Sequence, residues 1–216
     1  MICLVTDRRR LPGGDLAAQL RDAVDLGIDL VHVRERDLEA GALAALIAEL
    51  LVITKGTSTR LVVNDRIDVA LACGADGVQL RGDSIPVAAA RRIARSGFLI
   101  GRSVHGVSEA IAAADADYLV AGTVFPSASK AAARPLLGVE GLRAVVRAVD
   151  RPVLAIGGVT DARIGEIADA GAAGFAAIGL FLPSHPDATV RGAGLAELRR
   201  IVKRARSRFD RLETTP

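Results

Sequence analysis

The sequence predicts a single-domain (β/α)8 TIM barrel over residues 1–216, and three observations carry that expectation. Eight short runs rich in Val, Ile and Leu recur along the chain: "ICLVT", "DLVHV", "RLVVN", "DGVQL", "FLIGRSV", "DYLVAGTV", "PVLAIGG" and "GFAAIGLF". Near-continuous apolar strands of this kind need both faces buried, which a parallel sheet clothed in helices provides. Between successive runs lies an Ala-, Leu- and Arg-rich segment with helical periodicity, so strand and helix alternate. A weak internal repeat, "LGIDLVHV", "CGADGVQL", "ADADYLVA" and "AGAAGFAA", also sets a small-residue turn before strands two, four, six and eight. A period of two βα units over eight strands suits a closed barrel better than an open doubly wound sheet, which leaves edges to manage.

The composition agrees with one large core: 216 residues, 50% hydrophobic, with a mean hydropathy of +0.34. No stretch reaches about eighteen uninterrupted apolar residues, and no charged region precedes the short apolar run of "MICLVTDRRR". Neither a membrane span nor a secretory signal is expected, and a cytoplasmic protein is. Cys3 and Cys73, each in an apolar segment, read as small buried side chains rather than a disulfide framework or metal cluster. The net charge of +3 is concentrated in the tail "LRRIVKRARSRFDR", with seven Lys/Arg against one Asp. Leu195, Leu198, Ile201, Val202, Ala205 and Phe209 recur there at helical spacing, so the basic residues read as the solvated face of a packed final helix. With no Trp and one Tyr, a base-stacking platform is poorly supplied, and nucleic acid is not the expected partner.

In the first unit, "DLAAQLRDAVDLG" puts Leu16, Leu20, Ala23 and Val24 on one helical face, and Gly27 supplies the stop. Function in such a barrel sits at the C-terminal ends of the strands. The second strand ends "VHVRERD", where His32, Arg34 and Arg36 alternate and so point one way, into the barrel opening. Two convergent guanidinium forks suit a diphosphate; the competing reading pairs them with Glu35 and Asp37 as a surface network. The third strand ends "VVNDRID", offering Asn64 as a neutral hydrogen-bonding group. Asp65 reads equally as a Mg2+ ligand beside a diphosphate and as a cap on the helix starting near Ile67.

After the fourth strand, "RGDSIPV" makes Ser84 the expected N-cap of a helix with Ile85 and Pro86 in its first turn, and Asp83 a pre-cap residue able to turn toward Asp65. His105, after the fifth strand, either borders the opening or stabilises its own loop; His185 lies in a Pro-rich turn. The long segment "GTVFPSASKAAARPLLG" after the sixth strand holds Ser127, Ser129 and Lys130, which are either phosphate donors or a polar loop tip. Strands seven and eight end "AIGGVT" and "AIGLF", where Gly157 and Gly158 permit close approach of a second phosphate to backbone N–H groups. Neither common nucleotide fingerprint occurs.

Taken together in order, "LVTD", "VHVRERD", "VVNDRIDVAL", "GADGVQLRGDSIPV", "IGRSVH", "DYLVAGTVFPSASK", "PVLAIGGV" and "AGAAGFAAIGLF" resemble the thiamine phosphate synthase/TenI family, from residue 2 to about 182. The resemblance implies a barrel that joins an aminopyrimidine diphosphate to a thiazole phosphate with Mg2+, releasing diphosphate through a pyrimidine cation. It places Arg34, Arg36 and Lys130 on diphosphate, Ser103 on the pyrimidine, and Asn64 and Asp65 on the family's Asn-Asp pair. Gly157 and Gly158 fall where the thiazole phosphate is held.

Departures accompany it. His32 replaces a usual Gln, Arg36 a Lys, Ser127 and Ser129 two Thr, and Gly179 a Ser whose role backbone donation can keep. The second metal Asp falls on Ser84, leaving Asp83 one residue early. Thr123 stands where TenI-type tautomerases carry a His. A synthase is the expected function; a tautomerase or a non-catalytic phosphate-ligand-binding regulator is the alternative. Small phosphorylated molecules are the expected partners, and a homo-oligomer the expected assembly.

Overall fold

The computed structural model describes residues 1–126, 135–182 and 188–209. Its eight strands are β1 (Ile2–Val5), β2 (Leu30–Val33), β3 (Arg60–Asn64), β4 (Gly77–Leu80), β5 (Leu99–Val104), β6 (Tyr118–Gly122), β7 (Val153–Ile156) and β8 (Gly174–Ala177). They pair in parallel in sequence order, and β8 returns to β1, closing the barrel. The helices that cover it are α1 (Leu16–Asp25), α2 (Ala40–Thr54), α3 (Ile67–Cys73), α4 (Val87–Ile93), α5 (Val107–Ala112), α6 (Gly138–Arg147), α7 (Ile164–Asp169) and α8 (Ala188–Phe209).

Strand alternation separates two cores. Cys3, Val5, Leu30, Val62, Tyr118, Val120, Leu154 and Ala176 point inward and fill the barrel. Their neighbours Leu4, Val31, Val63, Val78 and Ile100 point outward, into the larger layer between sheet and helices. Because both faces of each strand are buried, the apolar runs are continuous rather than alternating. The last helix seals the end of this layer: Ile201, Val202, Ala205 and Phe209 are buried, with the Phe209 ring 6.1 Å from that of Phe175. No described helix is long and apolar enough to cross a membrane.

The two-unit repeat has a physical cause at the N-terminal rim. Asp29, Asp76 and Asp117 immediately precede or open the even strands. Their Oδ2 atoms each accept, at 2.7 Å, a backbone N–H from the start of the preceding odd strand: Ile2, Leu61 and Ile100. An arginine then holds each carboxylate, Arg206, Arg60 and Arg91 in turn. In the fourth unit the position is Ala173, whose N–H still bonds Val153 O at 2.9 Å. These rim aspartates satisfy strand-end donors that the ladder leaves over, a structural role at the barrel end opposite the C-terminal ends of the strands.

The α4 region departs from the sequence expectation. The helix starts at Val87 with Pro86 as its N-cap residue, and Ser84 lies in a turn, its N–H bonded to Arg81 O at 3.1 Å. Proline explains this, since Ile85 before it is disfavoured in the helical region and Pro86 itself sits at φ −58°, ψ 145°. Arg102 ties the turn down through Gly82 O and Ile85 O, at 3.0 and 2.7 Å.

Candidate functional site

The C-terminal ends of the strands surround a cavity of about 1180 Å³. One side is cationic, with Arg34, Arg36 and Arg81; the opposite side presents Gly157, Gly158 and Gly179.

On the cationic side the chain sorts its charges. Glu35 and Asp37 do not pair with the arginines that alternate with them. Glu35 is buried and accepts from the Thr6 hydroxyl at 2.6 Å, the Arg8 backbone N–H at 3.2 Å and the Arg8 guanidinium at 3.1 Å. Asp37 takes both guanidinium nitrogens of Arg8, at 2.7 and 2.6 Å, and Arg9 at 2.9 Å. These contacts hold the Asp37 carboxyl below the usual carboxylate range. Arg34 and Arg36 have no carboxylate partner among the described residues. Burial first, and the neighbouring Arg36 charge second, disfavour the charge on Arg34. The Arg34 backbone is nevertheless fixed, because its N–H donates to the Thr6 hydroxyl at 2.9 Å. A half-buried Arg34 beside an exposed Arg36, with no acid paired to either among the described residues, forms a site suited to an anion.

His32 lies beneath them, buried, with Nε2 3.1 Å from Asn64 Oδ1. Burial, reinforced by the Arg34 charge and opposed by the Asn64 hydrogen bond, lowers its pKa from 6.5 to about 3. The imidazole is therefore neutral at physiological pH, a positioning group rather than a proton donor. Below pH 6.5 the unfolded chain protonates this histidine while the folded chain resists until about pH 3, so its stabilisation is complete above 6.5 and is lost on acidification. His32→Gln should remove that component: between pH 7 and pH 5 the wild type should lose about 2 kcal/mol more than the variant, measured by urea unfolding. Parallel pH profiles would contradict a buried neutral His32.

Asp65 adopts φ 56°, a left-handed conformation held by its N–H donating to Gln79 O at 2.9 Å. It does not cap α3, whose N-cap residue is Arg66 without a side-chain cap. Its carboxylate turns to Arg81 instead: Oδ1 accepts from the Arg81 backbone N–H at 3.3 Å, and Oδ2 lies 3.7 Å from the guanidinium. The other end of that guanidinium bonds Asp83. Asp83 thus meets Arg81 rather than turning to Asp65. Among the described residues no three His, Cys, Asp or Glu side chains gather as metal ligands, and Ser84 supplies no carboxylate. The arrangement does not fit a divalent metal, because a guanidinium lies where the two carboxylates would share one.

Sequence reasoning missed Gln79 and Tyr118. Gln79 follows the same alternation that singled out Arg34: it points inward from β4, and its Nε2 donates to Ser103 Oγ at 3.1 Å. Gln79 Oε1 and the Tyr118 hydroxyl are buried without a hydrogen-bond partner among the described residues, and Gly101 makes room for both. A Cβ on Gly101 would stand 2.2 Å from Gln79 Oε1 and 2.3 Å from Tyr118 Cζ. His105 borders the cavity and also braces its own loop, Nδ1 lying 3.0 Å from Glu109 Oε2.

On the other side Gly157 and Gly158 have φ 100° and 61°, and a Cβ on Gly158 would stand 2.4 Å from Pro126 O. Only glycine fits this turn. Arg163 props it, donating to Gly158 O at 2.7 Å with its guanidinium 4.5 Å over the Phe125 ring. Gly179 opens a short 3-10 turn after β8, next to Arg10. Thr123 lines the cavity between the two sides. Ser127, Ser129, Lys130 and His185 lie outside the described residues.

Comparison with known proteins agrees with this fold. The family model described as thiamine monophosphate synthase matches residues 2–181. A thiamine-phosphate synthase of Methanoregula boonei is 40% identical over 196 residues, covering 90% of each chain. One of Roseiflexus castenholzii is 38% identical over 194 residues, covering 88% of this chain and 85% of its own. The solved thiamine phosphate pyrophosphorylase of Pyrococcus furiosus superposes with a TM-score of 0.78 at 34% identity, covering 94% of this chain and 96% of that one. Matched along nearly the whole of its barrel, the chain belongs to the thiamine monophosphate synthase family.

Proposed function

We propose that this protein is a cytoplasmic thiamine-phosphate-synthase-type transferase that joins an aminopyrimidine diphosphate to a thiazole phosphate and releases diphosphate. The observation that carries this reading is the pair Arg34 and Arg36, which face the cavity while Arg8 and Arg9 take the neighbouring acids. In a dissociative reaction the bond from the pyrimidine methylene carbon to the diphosphate oxygen breaks first. The charge that collects on the leaving oxygens meets a half-buried Arg34 with Arg36 beside it, neither engaged by a carboxylate among the described residues, so the transition state gains more than the ground state. The Gly157–Gly158 turn and Gly179 on the far side would hold the thiazole phosphate so that its ring nitrogen faces the carbon left behind. Ser103, fixed by Gln79, and the neutral His32–Asn64 pair supply hydrogen bonds to a flat polar ring between them.

The test is diphosphate release by the pure protein supplied with both substrates. Release matched by thiamine phosphate formation is expected, with none when either substrate is omitted. Tight binding of the thiazole phosphate with no turnover would overturn the reading in favour of a non-catalytic binder. Isomerisation of a carboxythiazole phosphate without any pyrimidine would instead point to a tautomerase.

A further inference from the structure

The turn after β4 places a cation of the chain's own in the anion site. Arg81 follows Gln79 by two residues and so leaves the strand on the same inward side, lining the cavity with Arg34 and Arg36. Its guanidinium spans two carboxylates from different strand ends, bonding Asp83 and lying 3.7 Å from Asp65 Oδ2. Its backbone N–H also fixes Asp65 Oδ1, at 3.3 Å. Both acids thus face the positive charge of one side chain. A divalent ion held by the same oxygens would need them at about 2.1 Å and would put two positive charges in contact with the guanidinium. Guanidinium and metal therefore exclude each other here.

We infer that Arg81 is the resident cation of this site, occupying the place between Asp65 and Asp83 that a divalent metal would take, so that the protein binds the diphosphate group without a metal. The inference rests on the proposed diphosphate chemistry for its purpose, but the competition for Asp65 stands apart from it. When the anion enters, Arg81 exchanges the exposed Asp83 for phosphate oxygens and joins the other two forks. The 45% exposure of the Arg81 side chain and the 70% exposure of that of Asp83 make that exchange a local movement.

The test uses Mn2+ alone, followed by electron paramagnetic resonance on the full chain without substrate. Arg81→Ala and Arg81→Gln should each bind Mn2+ about tenfold or more tightly than the wild type, since removing the cation takes away the guanidinium that competes with the metal for Asp65 and Asp83. The gain should vanish in Asp65→Asn/Arg81→Ala. Equal Mn2+ affinity in wild type and both variants would overturn the inference. In a second arm, calorimetry with inorganic diphosphate in chelator should show wild-type binding, weakened about tenfold in Arg81→Ala and restored by Mg2+. A wild type that binds diphosphate only with Mg2+ would likewise overturn it. Failure of diphosphate to bind under any condition would instead count against the proposed function, while the Mn2+ arm would still decide the role of Arg81.

Discussion

Replacing Arg34 by alanine should lower diphosphate release by about a hundred- to a thousandfold, the usual effect of removing one preorganised donor from a developing anion, and should leave the protein at least as stable as before. The two halves of that expectation share one cause. Arg34 is half-buried, is disfavoured as a charge by burial and by Arg36, and meets no carboxylate among the described residues. Burial and Arg36 outweigh the attraction of Asp7 and Glu35 for its charge, so its loss removes an unfavourable charge without breaking an ion pair among the described residues. Its backbone stays bonded to Thr6 in the variant, because the donor is the amide rather than the side chain. Arg34→Lys should recover part of the activity, keeping the charge and losing the paired geometry of the fork. Steady-state diphosphate release and a thermal melt check both halves. A variant that keeps activity within about threefold removes Arg34 from the anion site, as does one whose activity falls only in step with its melting temperature.

Much of this arrangement is legible in the sequence because it depends on local periodicity. The eight apolar runs define strands since a doubly covered parallel sheet tolerates little else, and each observed strand falls inside its run. The alternation of His32, Arg34 and Arg36 gives their common direction by the same rule. What the sequence leaves open is decided by partners distant along the chain. Glu35 and Asp37 are claimed by arginines some 27 to 29 residues earlier, which no local pattern reveals. Asp65 offers a capping reading and a metal reading, and it is drawn into a third state by Arg81, 16 residues on, together with its left-handed backbone. The start of α4 was within reach, since a proline at position 86 makes a helical Ile85 costly; Ser84 simply gave a familiar cap signal first. Gln79 was equally within reach, because the alternation applied to β2 also selects it in β4.

The second large effect belongs to a residue that touches neither substrate. Glu35→Ala should cost about 2–3 kcal/mol of stability, lowering the melting temperature by about 5–10 °C, and should weaken diphosphate binding in the molecules that remain folded. Glu35 is 4% exposed and satisfies the Thr6 hydroxyl, the Arg8 N–H and one guanidinium nitrogen of Arg8. Its removal strands the first two in a buried pocket. The third has recourse to Asp37 and to solvent, because Arg8 is 29% exposed, which keeps the loss below that of a fully buried pair. The Thr6 hydroxyl also accepts the Arg34 N–H, so a rotor freed from Glu35 loosens the turn that aims Arg34. Diphosphate affinity should therefore fall about tenfold while thiazole phosphate affinity, governed by the Gly157–Gly158 side, holds. Glu35→Gln separates charge from shape: one amide oxygen still accepts from Thr6, but its NH2 faces the donors of Arg8, so stability should be only partly recovered and the aim of Arg34 largely so. Calorimetric titration of the two ligands against each variant reads the split directly. Equal weakening of both would make Glu35 a general support of the fold, and unchanged diphosphate binding would detach it from Arg34 altogether.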